Sequence, residues 1–209
     1  MTFPVFVNPQ LSANDVTAGG TVMLVGAEAR HAAVVRRIKP GEIIDVVDGH
    51  GLRVTAEVTL AAKNEIQAAV VKVVQEPASN ISITLVQALA KGGRDEQAIE
   101  TATEFGVDNV IPWESQRCIV SWENSVKEAK ARAKWEAAVL AAGKQARRAA
   151  IPVVSEKLTS RQLAAWISAQ VGAGGCVFVC HEEGTQPLVQ LLQRFKNGKK
   201  ALMNLYRNH

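Results

Sequence analysis

The stretch that decides the fold is Ser82-Ile83-Thr84-Leu85-Val86-Gln87-Ala88-Leu89-Ala90-Lys91-Gly92-Gly93-Arg94-Asp95-Glu96, with its continuation as far as Pro152. Ser82 to Leu89 is an apolar, partly β-branched run of strand length. A polar turn with two glycines, Lys91-Gly92-Gly93-Arg94, separates it from a helical segment, Asp95 to Phe105. Gly106 stands where a glycine ends a helix in left-handed backbone. A short strand (Asn109 to Pro112) and a long helix (Glu123 to Ala149) follow. Ile151 to Val154 then leads into Ser160 to Gln170, and Gly175 to Cys180 into Pro187 to Phe195, with Ser160 and Pro187 as helix starts. Alternation at this spacing predicts βα units and a parallel sheet. Such sheets bind ligands beyond the carboxyl ends of their strands, so charged residues just after a strand are the first functional candidates.

Upstream, the pattern is strand-like: Thr21 to Val25, Glu42 to Val47, Val54 to Leu60 and Glu65 to Val74. Gly19-Gly20, Pro40-Gly41, Asp48 to Gly51 and Lys63-Asn64 separate these runs as turns, and Asp48 to Gly51 reads as a hairpin. One helical interruption, Ala27 to Arg37, falls among them. Residues 1–75 therefore read as a small twisted β-barrel with one helix, 76–80 (Glu-Pro-Ala-Ser-Asn) as a linker, and 81–209 as the α/β domain.

An apolar share of 47% and a charged share of 21% are those of an ordinary soluble globular chain. The amino terminus lacks the pattern of a signal peptide and no run is long enough to span a membrane, so a cytoplasmic location is expected. Three cysteines do not make a disulfide framework. Cys176 and Cys180 would share a strand face, but with no second pair and no His-x-x-x-His they read as small buried side chains, and no metal is expected.

The net charge of +4 is localised. Residues 117–148 hold eight basic and three acidic side chains, an excess of five, which outweighs the slight acidity of the first 76 residues. At about 100° per residue, Lys127, Lys130, Lys134, Lys144 and Arg148 fall within an arc of roughly 100° on the long helix. Ala131, Trp135, Ala138, Val139, Ala142 and Ala146 fill the adjoining arc. A basic stripe beside a packing stripe suits a phosphate backbone, although a solvated charged face has the same pattern. His31, close to Arg36 and Arg37, is either a plain helix-surface residue or an RNA contact. His50 reads as a turn residue, His181 as a strand end and His209 as the terminus. The common phosphate-loop, dinucleotide, zinc-protease and serine-hydrolase motifs are absent from the sequence.

Four segments come in order: Gln87-Ala-Leu-Ala-Lys91-Gly-Gly-Arg94, Thr101-Ala-Thr-Glu104-Phe-Gly106-Val, Pro112-Trp-Glu-Ser115-Gln-Arg117-Cys and Gln145-Ala-Arg-Arg148-Ala-Ala-Ile-Pro152. They resemble the RsmE family, the 16S ribosomal RNA uridine-N3 methyltransferases of the SPOUT superfamily. Glu28-Ala-Arg30-His31-Ala-Ala-Val-Val-Arg36-Arg37 and Val47-Asp48-Gly49-His-Gly51 are similar to that family's PUA-like barrel. The resemblance covers about residues 3–198. Gln116, where the family usually has Glu, and Phe105, where it usually has Leu, depart from it.

The resemblance implies an N-terminal PUA-like β-barrel followed by a SPOUT-type parallel α/β domain, with S-adenosylmethionine as methyl donor. Uridine N3 must lose its proton before it attacks, and the candidates for stabilising the resulting anion are Arg94, Arg117 and Arg148. Lys91 would anchor phosphate, and Glu104 would orient an arginine or form a structural ion pair. Arg30, His31, Arg36 and Arg37, with Lys127, Lys130, Lys134 and Lys144, would grip RNA around a flipped base. The partner implied is 16S ribosomal RNA or the small ribosomal subunit, and the family forms homodimers.

That family continues after residue 200 with a strand, a Gly-Pro-Glu-Gly-Gly segment and a further helix, which form a trefoil knot around the methyl donor. Here the chain reads Ala201-Leu-Met-Asn-Leu-Tyr-Arg-Asn-His209. A truncated or frame-shifted member with an incomplete knot is therefore expected, and cofactor-binding residues cannot be assigned from the sequence. Two other functions fit the residues: an RNA-binding remnant without catalysis, and an α/β domain that binds a small anion at Lys91 to Arg94.

Overall fold

A computed structural model of the chain describes residues 3–180 and 201–205. His181, the helix expected at Pro187 to Phe195 and His209 lie outside the described residues. The chain divides into two compact units: Met1–Ala78 with Gly143–Ile151, and Ser79–Ala142 with Pro152–His209. Among the described residues no helix is long and apolar enough to cross a membrane.

The first unit is built on five strands: β1 (Val5–Val7), β2 (Thr21–Val25), β3 (Ile43–Val47), β4 (Leu52–Ala62) and β5 (Glu65–Gln75). They pair in the order β1-β3-β4-β5-β2, antiparallel except for β1 on β3. Alternation sets the inner face: Leu52, Val54, Ala56 and Val58 of β4 are buried with Ile66, Ala68 and Val70 of β5 and Val22 and Leu24 of β2. The β4–β5 register shifts twice, between Thr55 and Ala56 and between Val58 and Leu60, the kind of irregularity that bends a strand pair.

The barrel expected from the sequence is, in its backbone hydrogen bonding, an open sheet with β1 and β2 as edges. A three-residue β1 is too short for a second ladder, and side chains bridge the gap instead. Asn8 Nδ2 donates to the Met23 carbonyl at 3.3 Å, and Val7 N–H donates to Glu28 Oε2 at 3.1 Å.

The helix expected over 27–37 is a short α1 (Gly26–Arg30) continued by a π-turn over His31–Val35. There Arg36 N–H reaches the His31 carbonyl at 2.9 Å, one residue beyond α-helical spacing. Gly143–Ile151, placed by the sequence reading in the α/β domain, packs with the first unit. Ala149 shares a buried cluster with Val5, Val7 and Val47, on the face opposite the core residue Phe6.

The second unit contains the sheet β10-β11-β6-β7-β8, all parallel. Its strands are β6 (Ile83–Ala88), β7 (Asn109–Glu114), β8 (Val153–Val154), β10 (Cys176–Cys180) and β11 (Ala201–Leu205), and β9 (Leu158–Thr159) also pairs with β7. Its helices are α2 (Arg94–Glu104), α3 (Ser125–Gln145, its last three residues in the first unit) and α4 (Ser160–Gly172). Val86 and Ile111 face Leu163 of α4 on one side of the sheet. Leu85 and Val110 are buried on the other, where α2 lies against β6. Helices on both faces suit a parallel sheet.

Thr159, one residue before the expected start of α4, caps it in a reciprocal capping box with Gln162. The sequence reading left residues 201–205 without an element. They form β11, a central strand in register with Ile83–Gln87 on one side and Cys176–Cys180 on the other. A strand there satisfies backbone groups that β6 and β10 would otherwise leave unpaired.

Candidate functional site

The carboxyl ends of β6 and β7 lie side by side, with Ala88 beside Trp113 in register and Leu89 N–H donating to the Trp113 carbonyl at 3.0 Å. The turn after β6 carries Lys91 and Arg94, both exposed. Gly92 and Gly93 adopt left-handed backbone (φ 70° and 75°), which lets the chain reverse directly into α2. Buried Asp95 fastens this turn, accepting from Ala90 N–H at 3.4 Å and Glu96 N–H at 3.0 Å. The loop after β7 carries Arg117, also exposed, so Arg94 and Arg117 follow adjacent strand ends.

Arg117's loop is anchored from below. Lys157, 15% exposed, pairs with Glu114, donates to the Trp122 carbonyl at 3.2 Å and lies 3.7 Å from Glu128. Ser121 Oγ also donates to Glu114. Burial pushes the Glu114 carboxyl up, but Lys157 and Ser121 together outweigh it and hold the group below its ordinary value. Trp122 packs edge-on against Trp135 of α3, with centroids 5.4 Å apart. The sequence reading missed Asp95, Glu114 and Lys157 as supports. A single carboxylate after a strand and a distant lysine carry no pattern in one sequence.

Glu104 does not belong with these residues. It ends α2, ten residues from Arg94 and about 15 Å along the helix axis, at the amino edge of the sheet. It is therefore out of reach of Arg94 and cannot orient it. A cavity of about 210 Å³ also opens at that amino edge, near Ser82, Asn109 and Trp166. Among the described residues no charged side chain lines it.

The expected single basic stripe on α3 is not what forms. Lys127 pairs with Glu123 at 2.6 Å and Lys134 with Glu96 at 3.0 Å, and Lys130 is exposed. Lys144 belongs to the first unit, where its ammonium contacts both oxygens of Glu28 at 2.7 and 2.9 Å and lies 5.7 Å from the Phe6 ring centroid. Arg148 falls beyond the last helical residue, Gln145, on the Gly143–Ile151 segment of the first unit, and is half-buried. Helical geometry was extended past the point where the helix stops.

In the first unit Arg30, Arg36 and Arg37 are exposed, whereas His31 is half-buried with its ring edge-on to Phe6 at 6.1 Å. Burial lowers the His31 pKa from its ordinary value, and Lys144 and Arg36 lower it further against the opposing pull of Glu28. His31 is thus held neutral more firmly than a surface histidine.

The family model for the RNA methyltransferase domain matches residues 77–204, and that for the RNA methyltransferase PUA domain matches residues 24–71. The ribosomal RNA small subunit methyltransferase E of Mycobacterium bovis is 38% identical over 173 residues, covering 83% of this chain and 66% of that protein. The protein of the same name from Bacillus subtilis is 24% identical over 155 residues, covering 74% of this chain and 60% of that protein. This chain thus spans somewhat less than two thirds of either relative's length. The crystal structure of ribosomal RNA small subunit methyltransferase E from Neisseria gonorrhoeae, bound to S-adenosyl methionine, superposes with a TM-score of 0.80 at 25% identity. It covers 97% of this chain and 79% of that one.

Proposed function

Since the chain belongs to the RsmE-type family of SPOUT RNA methyltransferases, we propose that it transfers a methyl group from S-adenosylmethionine to N3 of a uridine in 16S ribosomal RNA. The observation that carries this reading is the placement of Arg94 and Arg117, both exposed, just past the carboxyl ends of adjacent parallel strands. The donor supplies, when bound, an electrophilic methyl carbon on a sulfonium centre. Its fit to this chain rests on the sheet: the carboxyl ends of β11 and β6 lie side by side, where open parallel sheets take their ligands. No described side chain is assigned to it.

The work left to this chain is electrostatic. Uridine N3–H is a weak acid, and the nitrogen becomes nucleophilic only when its proton leaves to solvent and the charge spreads onto the two uracil carbonyl oxygens. Arg94 and Arg117 are the groups assigned to that charge, with Lys91 on a neighbouring phosphate. Fixed donors aimed where charge develops are the usual source of such catalysis. Arg148, on the Gly143–Ile151 segment of the first unit, is kept as a third candidate by the family resemblance alone. The ion pairs of Lys157 and the strap of Asp95 hold the two loops, so little reorganisation is needed when the base arrives. The base must leave its stack for N3 to be reached. Arg30, His31, Arg36 and Arg37 of the first unit, with Lys127, Lys130 and Lys134 of α3, would grip the flanking phosphates. Homodimerisation belongs to the same reading.

The test is transfer of labelled methyl from S-adenosylmethionine into small-subunit particles that lack the modification. Arg94→Ala and Arg117→Ala should each lower kcat/KM by about 100-fold, in line with loss of one preorganised donor. No transfer by the unaltered chain, together with RNA binding that weakens with salt, would replace this reading with an RNA-binding module.

A further inference from the structure

Two helices of this chain end in the same hydrogen-bonded motif with different residues at its strained position. At the end of α2, Gly106 N–H reaches the Thr103 carbonyl at 3.1 Å and Val107 N–H the Ala102 carbonyl at 3.0 Å. At the end of α3, Arg147 N–H reaches the Lys144 carbonyl at 3.1 Å and Arg148 N–H the Gly143 carbonyl at 2.9 Å. Both are Schellman motifs, which place one residue in left-handed backbone and so favour glycine. Gly106 has φ 99° and satisfies that preference, whereas Arg147 has φ 58° and does not. Among the described residues only Arg37 (φ 55°) and Arg147 combine positive φ with a side chain. Both are exposed arginines of the first unit.

The strain at Arg147 is enforced by its surroundings. Arg53 Nη2 donates to the Arg147 carbonyl at 2.8 Å, and Arg53 is itself fixed by Asp45 at 2.9 Å and Glu76 at 2.6 Å. On one side of Arg147, the Lys144–Glu28 pair fastens the segment to α1. On the other, Gly51 N–H donates to the Ala149 carbonyl at 3.2 Å and Ile151 N–H to the Gly49 carbonyl at 2.9 Å. The backbone of the segment is therefore locked while the Arg147 guanidinium stands in solvent. A glycine would meet the backbone demand without strain, so the strained arginine points to a use for its side chain. An exposed cation on a fixed backbone, in a unit that also exposes Arg30, Arg36 and Arg37, suits a polyanion.

We propose that Arg147 is a phosphate-contacting residue of the first unit's RNA surface, held in left-handed backbone so that its guanidinium meets an RNA backbone phosphate. The proposal rests on the reading that this chain binds RNA. Arg147→Asn is the informative change, because asparagine tolerates left-handed backbone and removes the charge. Arg147→Lys is its companion, keeping both charge and strain.

The experiment is fluorescence anisotropy of a labelled uridine-containing RNA titrated with the full chain at several salt concentrations, alongside a thermal melt. One phosphate contact contributes a slope of about 0.7 in log K against log salt, or about five-fold in affinity at 0.1 M. Arg147→Asn should therefore bind about five-fold more weakly with a slope smaller by about 0.7, while its Tm holds or rises. Arg147→Lys should stay within about two-fold of the unaltered chain. Equal affinity and slope for the asparagine variant and the unaltered chain would overturn the proposal and leave RNA binding intact. Weakened binding accompanied by a fall in Tm, with no retention by lysine, would also overturn it, as the effect would be structural. If the unaltered chain binds no RNA even at low salt, this inference and the reading beneath it fall together.

Discussion

The charges of the Gly143–Ile151 segment and those at the carboxyl edge of the parallel sheet stand in opposite circumstances. Lys144 is 17% exposed, holds both oxygens of Glu28 and belongs to a set of contacts that fix backbone. Arg53, 16% exposed, is committed to Asp45, Glu76 and the Arg147 carbonyl. At the carboxyl edge Lys91, Arg94 and Arg117 are exposed, and buried Asp95 and half-buried Lys157 fasten the loops that carry them. Each region therefore has a layer of paired charges that sets geometry and an outer layer available to a ligand. Paired, half-buried charges cost several kcal/mol when one partner is removed, whereas exposed pairs contribute little. A count of basic residues cannot separate the two layers.

The largest effect expected from breaking this contrast is at Glu28. Glu28→Ala leaves the Lys144 ammonium and the Val7 N–H without their partner. It should lower unfolding stability by about 3 kcal/mol in urea titrations. A loss under about 1 kcal/mol would mean the pair behaves as a surface pair, and the contrast would collapse.

Next is Glu114. Its carboxyl lies below its ordinary value in the folded chain, so its stabilising contribution is complete above the unfolded value near 4.5 and is lost as pH falls through the lower folded value. Glu114→Gln should cost about 1.5 kcal/mol at pH 7 and flatten the acid limb of the stability profile below about pH 4.5. Parallel acid limbs in variant and unaltered chain would show that the carboxylate is not coupled to Lys157.

The smallest effect belongs to the outer layer. Replacing Lys127, 60% exposed and paired among the described residues with an exposed Glu123, by alanine should cost under about 0.5 kcal/mol. The same change should reduce the salt slope of RNA binding by about 0.7, which anisotropy titrations would detect. A larger stability loss without a change in slope would place Lys127 in the paired layer.

Much of the candidate site was legible before folding was considered. The strand, the glycine turn and the helix up to Gly106 gave the β6–α2–β7 order, which put charged residues just after strands in view, while Arg94 and Arg117 themselves came from the family resemblance. For Glu104, expected to orient an arginine or form a structural ion pair, about 1.5 Å per residue along α2 removes only Arg94 as its partner, which a shared motif does not reveal. Arg148 was assigned to a helical stripe on angular position alone, which holds only while the helix continues, and Lys144, still helical, is taken out of the stripe by its pairing with Glu28. Arg147 was passed over because the left-handed turn that singles it out is invisible in a single sequence when the residue is not glycine.

By itself the sequence determined the local periods: alternation in β4 and β5, strand–helix alternation after residue 81, and the turn and cap residues between them. Those depend on contacts within a few residues and survive in any compact arrangement of the chain. The tertiary structure alone decided which charges are paired. Glu28 meets Lys144 across 116 positions and Arg53 meets the Arg147 carbonyl across 94. It also made residues 201–205 a central strand, since a strand's place in a parallel sheet is set by the edges left open to it rather than by its own residues.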